Sequence, residues 1–198
     1  MSTSFPAIYR GTVVDNNDPQ GLGRLRVQVP AVLGPVNDNW AVPCVPYAGP
    51  NVGFFALPPV GAEVWIQFER GDRTLPVWTG GHWTKAEDLP VSPASPDIQV
   101  FRTEGIFLAH NNHASGGGTV KIGAVEIQKG FTLRVGSPVI PSGFLQLTLG
   151  ADGVIEINNN DQETIRLSGG NITIRVGGAS IQMNPVTVNV NSGALEVS

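Results

Sequence analysis

Three histidines, one cysteine and sixteen carboxylates are the raw material for chemistry in this chain of 198 residues. Two of the histidines fall together, as His110-Asn-Asn-His113. Three copies of such a pair around a symmetry axis could ligate a metal through imidazole nitrogens. Asn111, Asn112 and the following Ala114-Ser-Gly-Gly-Gly118 have turn composition, however. The segment therefore reads as a polar loop, His110 and His113 stand only as weak metal candidates, and no cofactor is expected. A glycosidase needs two carboxylates converging in a cleft. Glu63 and Glu69 fall on a strand and its turn, Asp15 and Asp18 in an Asn-rich turn, and Glu156 and Glu163 at positions read as outward on a repeat. No Gly-x-Ser-x-Gly elbow is present, and His82, in Gly80-Gly-His-Trp83, reads as the exit of a barrel. Arg70-Gly-Asp72 matches an integrin-binding tripeptide but is explained by a tight turn. Cys44, between Pro43 and Val45, is expected to be a buried small hydrophobe. The chain reads as a protein without enzymatic activity.

The elements that would position these residues are all strands. From Gly118 to Ser198 the chain repeats a short alternating strand and a Gly/Asn/Ser/Asp turn, with a period of roughly seven to ten residues. Side chains alternate between the two faces of a strand, so Ile165 and Leu167 form a one-sided apolar stripe. So do Ile172, Ile174 and Val176, then Ile181 and Met183, then Val186, Val188 and Val190, then Leu195 and Val197. Outward positions, among them Glu156, Arg166, Arg175, Gln182, Asn189 and Glu196, mix acidic, basic and neutral groups that could pair across strands. Such a unit cannot bury its apolar face alone and must stack. A lone chain supplies one wall of a prism and leaves strand edges open, so three chains wound together are expected. Ten layers at about 4.8 Å would give a rod of about 50 Å. Its core is read as Ile165, Leu167, Ile172, Ile174, Val176, Ile181, Met183, Val188 and Val190.

Residues 1–88 read differently. Leu25, Val27 and Val29 share one face of a strand, and Val64, Ile66 and Phe68 one face of another. About five strands with aromatics at Trp40, Phe54, Phe55, Trp65, Phe68 and Trp78 fit a small barrel of the OB type, with Trp65, Phe68 and Trp78 expected in its core. Between the halves, residues 89–97 carry Pro90, Pro93 and Pro96 and read as a semi-rigid linker. The fold class is all-β: an N-terminal OB barrel (1–88), the linker, and a C-terminal intertwined trimeric β-helix or β-prism (98–198).

Composition excludes several function classes. Charged residues make up 14 % and the net charge is −4, with six basic and eight acidic residues on each side of residue 90. No basic face exists to neutralise phosphates, so nucleic-acid binding is not expected. The N-terminus lacks a basic segment and an apolar core of a secretion signal. A product assembled in the cytoplasm, or exported by an unusual route, is expected.

Two segments carry a family resemblance. The first runs from Tyr9-Arg-Gly-Thr-Val-Val-Asp15 through Gly23-Arg-Leu-Arg-Val-Gln-Val-Pro30. The second is Pro59-Val-Gly-Ala-Glu-Val-Trp-Ile-Gln-Phe-Glu-Arg-Gly-Asp72, continuing at Pro76-Val-Trp-Thr-Gly-Gly81. The pair resembles the N-terminal domain of baseplate assembly protein V and VgrG-type spike proteins of contractile phage tails and injection systems. The resemblance implies an OB-fold followed by a trimeric β-helix that punctures a membrane. It also implies a homotrimer, a baseplate hub protein bound by the N-terminal domain, and a small PAAR-like tip protein seated on Leu195 and Val197. The chain departs from the pattern in lacking a lysozyme domain, a preceding hub region and a His-x-His tip. A carbohydrate- or receptor-binding β-prism, or a polysaccharide-processing tail protein, is the alternative. The tail's aromatics all precede residue 145, which leaves no distal platform for sugars.

Overall fold

The computed structural model describes residues 4–34, 39–92, 94–112, 120–122, 125–136, 143–159, 162–192 and 195–197. The chain forms two compact units, Met1–Asp88 and Leu89–Ser198.

The first unit holds β1 (Tyr9–Asp15), β2 (Leu25–Gln28), β3 (Trp40–Pro43), β4 (Ala48–Gly49), β5 (Val52–Gly53), β6 (Glu63–Phe68) and β7 (Pro76–Gly81). Five of these close a barrel in the order β1-β2-β3-β7-β6, with β6 pairing back onto β1. All neighbours are antiparallel except β3 and β7, where Val42 lies opposite Val77. This is an OB-type barrel. Alternation fills it: Val13, Leu25, Val27, Val29, Ala41, Val64, Ile66, Phe68 and Trp78 are buried. Trp65 is not among them. It sits between Val64 and Ile66 and so projects outward, with the Arg10 guanidinium 5.6 Å from its ring centroid and the His82 ring 4.4 Å away. Cys44 is also exposed, because it lies one residue past the end of β3 and outside the alternation. A single helical turn, α1 (Pro30–Leu33), follows β2. Proline is favoured at a helix start, where its missing N–H costs nothing, but four residues are too few to show a helical period.

The second unit contains β8 (Ile98–Arg102), β9 (Ile106–Asn111), β10 (Val120–Ile122), β11 (Val125–Ile127), β12 (Gly130–Val135), β13 (Leu145–Gly150), β14 (Ile155–Asn159), β15 (Glu163–Ser168), β16 (Asn171–Val176), β17 (Ala179–Met183), β18 (Val188–Val190) and β19 (Leu195–Val197). Ten of them form one antiparallel sheet ordered β8-β9-β12-β13 and on to β19. β10 and β11, expected as layers of the stack, form a separate hairpin instead. Its Ile127 is buried with Phe107 and Ala109, against which Ile98 and Val100 pack. β9 therefore carries apolar residues on both faces, Phe107 and Ala109 against this cluster and Ile106 and Leu108 on the other side, which erases the alternation that marks the other strands. Interior strand edges are satisfied within one chain, so a partner chain is not needed to pair them. Val186 falls outside β18: the Asn184 side chain accepts hydrogen bonds from the N–H groups of Val186 and Thr187, each 2.8 Å, and makes a turn there.

Candidate functional site

Directly opposed residues of an antiparallel pair project to the same face, so the register resolves the ten-stranded sheet into rows. One row is apolar on every strand: Phe101, Leu108, Leu133, Leu147, Ile157, Ile165, Ile174, Ile181, Val190 and Leu195. Beside it on the same face run Phe131, Leu149, Ile155, Leu167, Ile172, Met183 and Val188, the last opposed by Val197 of β19. On the other flank come Ile106, Val135, Leu145, Asn159, Glu163, Val176 and Ala179. All nine residues read as a core from sequence lie on this one face. Leu145, Leu147, Leu149, Ile155 and Ile157 share it, and the alternation that marks the nine was visible at these five too. Eleven aliphatic side chains of β13 to β19 on this face are 37 to 58 % exposed in the single chain. Contiguous apolar surface of this extent is rare on a solitary protein.

From β13 to β18 the opposite face is polar. Thr148, Glu156, Arg166, Thr173, Gln182 and Asn189 follow one another across six strands. Glu156 and Arg166 pair at 3.3 Å, and Asn158 donates from Nδ2 to Glu156 at 2.9 Å. Glu163 belongs to the apolar face, not outward as expected: it stands two residues from Ile165, and the turn after β14 places it beside Asn159, whose Nδ2 lies 3.2 Å from its carboxylate. Leu195 is 58 % exposed, while the side chain of Val197 lies outside the described residues.

The residues weighed for chemistry are scattered. His110 sits on the apolar face in the row of Phe131, with Nδ1 2.9 Å from the Gln99 side-chain oxygen. His113 lies outside the described residues. Among the described residues no three His, Cys, Asp or Glu side chains converge as metal ligands. Asp72 of the Arg-Gly-Asp turn accepts hydrogen bonds from the Thr74 backbone and hydroxyl, 2.9 and 2.8 Å, which hold its carboxyl below its ordinary value. It is occupied in closing its own turn. Among the described residues the one strongly perturbed carboxyl is Asp18, whose role is structural. Its side chain accepts the Arg24 guanidinium at 2.6 Å and the backbone N–H groups of Gln20, Leu22 and Arg24, and these hold its carboxyl far below the usual range. A depressed folded value means that the stabilisation is present above the unfolded Asp range, about pH 4, and is lost as pH falls further. Asp18→Asn is expected to lower the barrel's thermal midpoint at pH 7, with the gap to the unaltered protein closing below about pH 4. Thermal melts across that pH range check it, and a gap that stays constant with pH contradicts it.

A closed OB barrel joined to a sheet with one polar and one open apolar face defines a structural β protein that completes its fold by self-association. Residues 9–83 match the family model of the type VI secretion system/phage-baseplate injector OB domain. Residues 144–196 match that of the phage baseplate V C-terminal trimerisation domain, which takes in β13 to β18 and most of β19. The chain belongs to the phage baseplate V family of spike proteins. It is a structural component of a phage baseplate or type VI secretion spike, and its C-terminal domain makes it a homotrimer. Comparison with curated proteins returns no match. No helix among the described residues is long and apolar enough to cross a membrane.

Proposed function

We propose that this chain is the central membrane-puncturing spike of its machine: a trimer whose barrel attaches to the baseplate hub and whose sheet domain carries the thrust of contraction to a target membrane. The apolar row unbroken across ten strands is the observation that supports this reading most. Strands of six residues span about 20 Å. Three such walls joined edge to edge enclose a triangular prism whose faces lie about 6 Å from the axis. Packed sheets lie about 10 Å apart, so each wall's side chains fill about 5 Å. Leu147, Ile157, Ile165, Ile174 and Ile181 are then the right size to fill the axis without a channel. The flanking rows, with Leu167, Ile172, Met183, Val188 and Val176, close the corners. A filled prism with no mobile part resists load through slow unfolding rather than through any bound group. At the far end, Leu195 and Val197 of three copies would offer a small apolar platform to a tip protein. The particle would assemble in the cytoplasm and act as part of a virion tail or an injection apparatus.

Light scattering on the purified chain, with electrophoresis before and after boiling, tests the reading. A native mass of three chains and a detergent-resistant band that collapses only on boiling are expected. A monomeric mass would overturn the prism and the spike with it.

A further inference from the structure

The barrel carries a second apolar surface outside the OB core. Between β3 and β6 the chain makes a long excursion that folds into the β4–β5 hairpin and holds its large side chains out. Tyr47 is 60 %, Val52 52 %, Phe54 51 % and Phe55 76 % exposed, and Leu22, from the β1–β2 turn, is 60 % exposed. These residues border a groove of about 610 Å³ that reaches Trp78 and Leu57, and among the described residues its lining includes no Asp, Glu, Lys or Arg. The surface is held in place. Phe54 N–H donates to the Tyr47 carbonyl at 2.9 Å. Gly23, at φ +73°, lets the Phe55 ring lie against the backbone, for a Cβ there would stand 3.1 Å from it. The three aromatic rings alone leave roughly 400 Å² of apolar surface in water. With Leu22 and Val52 it reaches roughly 600 Å², the upper end of what a solitary protein leaves uncovered and about three-quarters of the ~800 Å² that each partner of a standard interface buries.

We propose that this surface packs against its own copies, the Phe55 side of each barrel entering the groove beside Leu22 and Tyr47 of the next, in a closed ring of three. The proposal rests on the trimer. Nine residues separate Asp88 from Ile98, a reach of at most about 30 Å. Three barrels tied to one trimeric sheet domain therefore meet at an effective concentration of order mM. The chain carries a net charge of −4, so copies repel over much of their surface, whereas this uncharged groove can meet another copy without like-charge cost. A head-to-tail contact of this kind closes when the rotation relating copies is a three-fold one.

The test uses the full chain with Cys44→Ser and Val52→Cys, so that position 52 holds the sole thiol, treated with a short bis-maleimide. Covalent dimers, the largest species that one thiol per chain and a two-armed reagent can form, are expected on denaturing gels. Adding Phe55→Asp should cut their yield by about tenfold, as removing a central aromatic anchor does, while the native mass stays that of three chains. A trimeric mass with no cross-linking would overturn the proposal and leave the groove for another protein. Cross-linking that survives Phe55→Asp would overturn it too, since tethering alone would then account for the proximity. A monomeric mass would instead count against the trimer itself. A barrel melting transition unchanged by the exposed-site substitutions verifies that the variants are folded.

Discussion

Ile174→Asp is expected to leave the chain without its detergent-resistant trimer. Ile174 lies in the middle of the unbroken apolar row, opposite Ile165 on one side and Ile181 on the other. In a three-walled prism the substitution places three carboxylates at one level, within roughly 10 Å of one another and away from water. Each ion's desolvation costs several kcal/mol, and the three repel as well. Against this, covering an aliphatic side chain already about 60 % buried gains only on the order of 1 kcal/mol, so neighbouring contacts cannot offset three buried charges. Protonation would relieve part of the cost and make any residual assembly acid-dependent. The matched control is Thr173→Asp, one residue away on the polar face and opposite Arg166 and Gln182. It should leave the trimer intact. Sizing with light scattering on both variants separates the two faces of β16, and a trimeric Ile174→Asp protein would show that this face is not the packed one.

How much of this was legible in the sequence follows from how cleanly each strand divides its two faces. β16, and β15 after Glu163, have polar residues on one face and apolar ones on the other, so Ile165, Leu167, Ile172 and Ile174 could be placed from spacing alone. β2 and β6 are read as easily, and Trp65 shows the rule being broken in the reading rather than in the molecule. Its neighbours Val64 and Ile66 face inward, so its aromatic character was no reason to place it with them. Glu163 is the same lesson, two residues from Ile165 and on its face. β8 and β9 were missed for a physical reason. The β10–β11 hairpin covers their outer side, so Phe107, Leu108 and Ala109 run together without alternation. Long-range packing of that sort has no local signature. The Asp18 clamp lay in a segment recognisable only as a turn, because Asn, Asp, Pro and Gly announce a turn without saying which carboxylate organises it. The exposed Tyr47–Phe55 hairpin was hidden by composition: aromatics in a small barrel read as core unless a strand phase assigns them, and β4 and β5 are two residues each.

Trp78→Ala should separate the two units thermodynamically. Trp78 is 5 % exposed, packs in the barrel core and donates from its indole Nε1 to the Gly23 carbonyl at 3.2 Å. Its own carbonyl accepts the Cys44 N–H at 2.9 Å, so it also ties β7 to the chain leaving β3. Truncating a buried tryptophan costs about 3–5 kcal/mol through lost transfer energy and the cavity left behind. In a domain of 60–100 residues each kcal/mol moves the melting midpoint by roughly 4–8 °C. The barrel's transition should therefore fall by about 12–40 °C, or the barrel should be unfolded at room temperature. The apolar rows of the sheet domain contain no barrel residue, so the trimeric mass and the sheet's own melting transition should stay where they were. Calorimetry together with light scattering reads both quantities in one sample. Loss of the trimer in Trp78→Ala would mean that the barrel, and not the apolar sheet face, supplies the decisive contacts between chains. A second transition that moved in step with the first would mean that the two units do not fold independently.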